Sequence, residues 1–147
     1  MKIAKLLLSV AVLITVFSGC QDHGKKYDFN SKQNIYYKGD GVDESTAKKL
    51  ATYLNEIGYF GGDKELSVQV TKEKATGDAM NLNFVVDGSK ITPEIEKAFL
   101  QIGGLISKNV FSSGAVNVNF IDSHFKEIKK LGAAQPIEDV APPAQGQ

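Results

Sequence analysis

Residues 66–86 read LSVQVTKEKATGDAMNLNFVV, and the periodicity of this stretch governs how the rest of the chain can fold. Leu66, Val68 and Val70 alternate with Ser67, Gln69 and Thr71. After a Gly77-Asp78 turn, Met80, Leu82, Phe84 and Val86 alternate with Asn81, Asn83 and Val85. A period of two sends successive side chains to opposite faces. The stretch therefore predicts a β-hairpin with one apolar face, which needs cover, and one face of amides and hydroxyls.

Cover is encoded on both sides of the hairpin. Upstream, Asp43 is placed to cap a helix whose apolar residues Ala47, Leu50, Ala51, Leu54 and Ile57 form one stripe. Gly58 ends it, and Tyr59 can fold back on Leu54. Downstream, Thr92-Pro93-Glu94 supplies a cap, a preset first position and an acid near the dipole. Ile95, Ala98, Phe99, Ile102, Leu105 and Ile106 form the second stripe, with Gly103 beside it allowing close approach to a sheet. NIYYK at 34–38 and AVNVNFI at 115–121 read as the first and last strands of the domain, the latter with Val116, Val118 and Phe120 inward.

The order strand, helix, strand, strand, helix, strand suits an α+β fold, a ferredoxin-like βαββαβ two-layer sandwich. In that arrangement two helices cover one face of a four-stranded antiparallel sheet. Residues 122–131, DSHFKEIKKL, add a C-terminal element whose spacing fits a helical turn or a further strand.

Composition divides the chain around this domain at 34–131. Residues 20–33 are polar and unpatterned, as in a flexible tether. Residues 132–147 hold three of the four prolines and little to bury, which predicts a disordered tail. Residues 1–19 are of another kind. Lys2 and Lys5 precede twelve residues, Leu6 to Phe17, interrupted only by Ser9 and Thr15. Such a helix rises about 18 Å, short of a roughly 30 Å hydrocarbon core, so the layout is that of a signal peptide and not of a stable span.

Phe17-Ser18-Gly19-Cys20 closes this segment with the only cysteine of the chain. It resembles the processing box of bacterial lipoproteins at its last three positions, with Phe17 where leucine is usual. The resemblance implies cleavage between Gly19 and Cys20, a diacylglyceryl thioether on the Cys20 sulfur, and a chain held to the cell envelope by that lipid. Gln21, in place of an aspartate after the cysteine, implies the outer membrane, facing the periplasm, in a host with two membranes. The domain at 34–131 carries a second resemblance. Tyr36-Tyr37, Ala47, Leu50, Tyr53-Leu54, Gly58, Phe60, SVQVTK at 67–72 and FVV at 84–86 look like a small bacterial domain of membrane-associated proteins that has no assigned activity.

Loss of residues 1–19 leaves 128 residues, with 15 lysines against 17 acids and a formal charge of −2. That length suits one domain. No arginine occurs anywhere, which counts against phosphate and nucleic-acid recognition. The loop after the first strand, KGDGVDE, lacks the cysteine pair that soft-metal carriers of this architecture need. Asp40, Asp43 and Glu44 around Gly41 read as a turn and helix cap, since they fall short of a calcium-loop ligand set. His124 and Glu127 are too few to close a zinc site. No metal, cofactor or enzymatic activity is expected, because no nucleophile–base pair can be nominated.

What remains as a candidate surface is the polar side of the sheet: Ser67, Gln69, Thr71, Asn81, Asn83, Asn117 and Asn119, joined by Tyr36 or Tyr37. Its amides suit a hydrogen-bonded interface with an envelope protein partner or a second copy of the chain. The expected function is a non-catalytic interaction module. The alternatives are a small-ligand sensor working as a dimer and, behind it, an enzyme.

Overall fold

The computed structural model describes residues 22–72 and 77–134, and within them each start signal in the sequence is used. Asp43 Oδ1 accepts from Thr46 N at 2.9 Å and opens helix α1, Glu44–Glu56. Gly58 adopts φ +79°, and Tyr59 N donates to Leu54 O at 2.9 Å, closing the helix as a left-handed cap does. Thr92 accepts from Ile95 N ahead of Pro93, where α2 begins, Pro93–Asn109.

The strands are β1 Lys25–Asp28, β2 Gln33–Lys38, β3 Leu66–Thr71, β4 Met80–Val85, β5 Val116–Ile121 and β6 Glu127–Ala133. They form one sheet in the order β1-β2-β3-β4-β5-β6. The expectation of a four-stranded antiparallel ferredoxin-like sandwich is therefore wrong. The sheet has six strands and is mixed, with β2–β3 and β4–β5 parallel and β1–β2, β3–β4 and β5–β6 antiparallel. Alternation fixes which face a side chain takes, but interleaved and sequential strand orders produce the same alternation. The interleaved order follows from assuming that both crossovers are right-handed. Here both helices pack on one face while strand direction reverses at the β3–β4 hairpin. The two crossovers must then have opposite hands, and one of them is left-handed.

Two further expectations change. Residues 25–28, assigned to the tether, are edge strand β1, with Tyr27 packed against the core and Lys25, Lys26 and Asp28 exposed. Of residues 122–131, left between helix and strand, 127–131 belong to the opposite edge, β6. Cys20, the signal segment and residues 135–147 lie outside the described residues, whereas 132–134, expected in the tail, complete β6 and the bond that follows it.

The core lies between sheet and helices. Ile35, Val68, Phe84 and Phe120 sit in register across four strands and are fully buried. Phe99 of α2 meets Phe84 and Phe120 edge-on, with ring centres 4.9 and 5.0 Å away, and Tyr59 joins the cluster from the end of α1. Such edge-to-face geometry adds about 0.5–1.5 kcal/mol per pair beyond burial. A Cβ on Gly103 would come within 2.5 Å of Val118 Cγ2, so the glycine sets how closely α2 meets β5. Among the described residues, no helix is long and apolar enough to cross a membrane.

Candidate functional site

The other face of the sheet carries the polar half of every alternation, and the strand register turns it into rows. Gln69, Asn83 and Asn119 lie side by side on β3, β4 and β5; Thr71, Asn81 and Asn117 form the next row. Asn119 Nδ2 donates to Asn83 Oδ1 at 2.8 Å, and Asn83 Nδ2 to Gln69 Oε1 at 2.9 Å. Gln69 Nε2 donates to the His23 carbonyl at 3.0 Å. That last contact fixes the polarity of the whole row. A carbonyl can only accept, so Gln69 must present its NH₂ leftward and its oxygen to Asn83, and the same choice passes on to Asn119. Bonds aligned in this way reinforce one another.

In the second row Asn117 Nδ2 donates to Asn81 Oδ1 at 3.3 Å. Thr71 is in register with Asn81 and only 6 % exposed, yet its Oγ1 has no hydrogen-bond partner among the described residues. A buried hydroxyl left unpaired costs about 1–3 kcal/mol. Folding alone gives no reason to keep one here, where valine would fill the same space.

The face is also enclosed. Phe125, from the loop between β5 and β6, reaches across it to stack on His23, with ring centres 4.2 Å apart. The same ring meets Tyr36 of β2 edge-on at 4.7 Å. Phe125 adopts φ +64°, a conformation that bulky side chains avoid. Asp122 holds it there. Its Oδ1 accepts from His124 N at 2.8 Å and Lys126 N at 2.9 Å, and its backbone carbonyl accepts from Phe125 N at 2.9 Å. These donors, Lys126 N foremost, keep the Asp122 carboxyl below its usual range. On the opposite rim Gly24, at φ +90°, lets the chain pass close over β2, because a Cβ there would collide with the Tyr37 carbonyl.

The result is a trough of about 470 Å³ floored by Gln69, Thr71, Asn81, Asn83, Asn117 and Asn119, with Ile121 at one end. Phe125, Glu127, Lys130 and Gly132 form one wall. A smaller hollow of about 300 Å³ shares Gln69, Thr71, Asn83 and Phe125 and extends to Asp22 and His23. The wall charges are paired, Lys130 Nζ standing 3.8 Å from Glu127 Oε2. A wider hollow of about 850 Å³, lined by Tyr59, Leu66, Val86, Ile91, Ile95 and Phe99 among others, opens between α2 and the loops. It lacks a comparable array of bonded polar groups.

Six of the seven residues expected on the polar face therefore meet in one site. Ser67 does not; it donates to Asn34 Oδ1 at 2.8 Å, on neighbouring β2. Tyr36 is the tyrosine on this side, and Tyr37 is in the core. His23 and Phe125 were missed as site residues, since one was assigned to the tether and the other to an untyped element. The available signal was a large aromatic in the polar loop Asp122-Ser123-His124-Phe125-Lys126. Among the described residues no three His, Cys, Asp or Glu side chains gather as metal ligands. Asp43 serves as the cap of α1, and Ser45 and Thr46 hold its carboxyl down at about 2.

No curated protein and no solved structure matches the chain. The family model AF_1994_N, described as a family N-terminal domain, matches residues 26–133, a span that begins in β1 and ends with β6. The chain belongs to that family.

Proposed function

We propose that the chain is a non-catalytic binding module of the bacterial cell envelope, lipidated at Cys20, with the amide-lined trough as its working surface. The observation that carries this reading is the one-way row from Asn119 to the His23 carbonyl, beside a Thr71 hydroxyl without a partner among the described residues. Groups already oriented before a ligand arrives lose little freedom on binding. Amides and hydroxyls do not change protonation near neutral pH, so they suit recognition better than proton transfer.

Anchoring rests on Phe17-Ser18-Gly19-Cys20 and its likeness to a lipoprotein processing box. Two or three acyl chains hold a protein far more firmly than one. With Gln21 after the cysteine, the outer membrane facing the periplasm is the proposed location in a two-membrane host.

Photocrosslinking in native membranes tests the reading. A photoreactive residue at Asn117, in the trough, should give a discrete adduct that one at Lys48, on the exposed side of α1, does not. Equal labelling from both positions, or none from Asn117, would sink the assignment of the surface. Mass spectrometry of the same material should show a chain beginning at a lipidated Cys20. An unmodified sulfur behind an intact Met1 removes the anchor.

A further inference from the structure

We infer that the trough binds an uncharged oligosaccharide, whose hydroxyls pair with the amide rows and Thr71 while a sugar face lies against Phe125. This deepens the reading of the trough as the working surface and depends on it.

Four features lead to this class. First, the floor offers side-chain amides, each of which donates and accepts at adjacent positions, as neighbouring sugar hydroxyls also do. Backbone groups of β3, β4 and β5 are spent on the ladder, so the floor cannot pair with a peptide main chain as a free sheet edge can. Second, Thr71 Oγ1 is buried, without a partner among the described residues, and belongs to the trough lining. It is a hydrogen-bonding valence that a ligand can complete. Third, among the described residues the charged side chains lining the main trough are Glu127 and Lys130, which face each other, so the described lining offers no net charge to a phosphate or an ionic peptide. Fourth, Phe125 is held in a strained conformation, stacked on His23, and lines both hollows. An aromatic face beside polar groups is the arrangement that covers an amphipathic ring. The combined site falls within the size of small-molecule pockets, about 300–1,000 Å³.

The test uses the full lipidated chain in lipid nanodiscs, free of sugar-based detergent, titrated with chitotriose, cellotriose, maltotriose and an uncharged tetrapeptide. Binding is read by calorimetry and by saturation transfer to ligand protons. At least one trisaccharide should bind at millimolar or better affinity, and the tetrapeptide should not. Thr71→Val should raise the melting temperature of the free protein yet weaken sugar binding about tenfold. A merely structural threonine would not move the two readouts in opposite directions. Phe125→Ala should weaken binding, and Gln101→Ala, on exposed α2, should leave it unchanged. Failure of every trisaccharide at about 10 mM, or undiminished binding by Thr71→Val, overturns the proposal. If the tetrapeptide binds instead and Thr71→Val abolishes it, the ligand class falls while the trough stands. Absence of any adduct at Asn117 in the crosslinking experiment removes the trough itself.

Discussion

Gln33 is fully buried at the start of β2, and all its hydrogen-bonding capacity is used. Nε2 donates to the carbonyls of Gly61 and Lys64, at 2.9 and 3.2 Å, while Oε1 accepts from Gly61 N and Asn30 Nδ2, both at 2.9 Å. One side chain thus ties the loop before β3 to the strand it will pair with. Gln33→Leu keeps the volume but strands three backbone groups, so it should cost about 2–4 kcal/mol in urea unfolding. A loss below about 0.5 kcal/mol would show that water takes over these bonds without penalty. Composition placed Gln33 at the end of the tether, because a buried glutamine is recognisable only when its partners, here some thirty residues away, are known. Thr71 is the reverse case: buried but unpaired among the described residues, legible as a β-strand residue on the polar face and illegible as an open valence.

At the scale of elements, caps and stripes were readable because they are local. Asp43, Gly58 and Thr92 act within four residues of themselves, so both helices start, and α1 stops, where these residues dictate. The Asp43 carboxyl illustrates the energetics, since Ser45 and Thr46 lower it from an ordinary 3.8 to about 2. A carboxyl that is more acidic folded than unfolded contributes stability above its unfolded value, and that contribution is lost as pH falls through the folded one. The melting temperature should therefore drop between pH 4 and pH 2, and Asp43→Asn should flatten that drop. An unchanged acid slope in the variant would assign the effect to other groups, such as Asp122. Gly103 is a second element-scale device. Gly103→Ala gains helix propensity of about 1 kcal/mol, but its methyl must displace Val118, an overpacking cost of about 1–3 kcal/mol. Net destabilisation is expected from denaturant unfolding, and it should shrink when Val118→Ala makes room. Equal costs in both backgrounds would mean that α2 moves instead. Edge strands β1 and β6 escaped the periodicity because edges are kept polar: Lys25, Lys26, Lys129 and Lys130 deter pairing with other sheets. A strand protected in this way looks like linker. Strand order escaped too, because no residue marks which neighbour a strand will choose.

For the whole molecule, the ordering of β1 changes the geometry of attachment. The sequence suggested a tether of thirteen residues, 21–33, between Cys20 and the domain, enough to let it wander. Instead Asp22 is already engaged, its Oδ2 standing 3.4 Å from Lys38 Nζ, so only Gln21 separates Cys20 from the fold. Two residues of chain reach at most about 7 Å. If Cys20 carries its lipid, the end of the sheet holding Lys38 and the Gly39–Val42 turn must sit against the headgroups. The loop at Gly88–Lys90, beyond the other end of β4, then points away by about 20 Å, the length of a six-residue strand. The trough runs between these ends, its His23 side toward the bilayer. Fluorophores on Asp40→Cys and Lys90→Cys, in the lipidated chain on vesicles with nitroxide-labelled headgroups, should report this orientation. Quenching should be strong at 40 and weak at 90. Equal quenching at both positions would mean that the domain rotates freely, and the trough would then have no fixed attitude to the membrane surface.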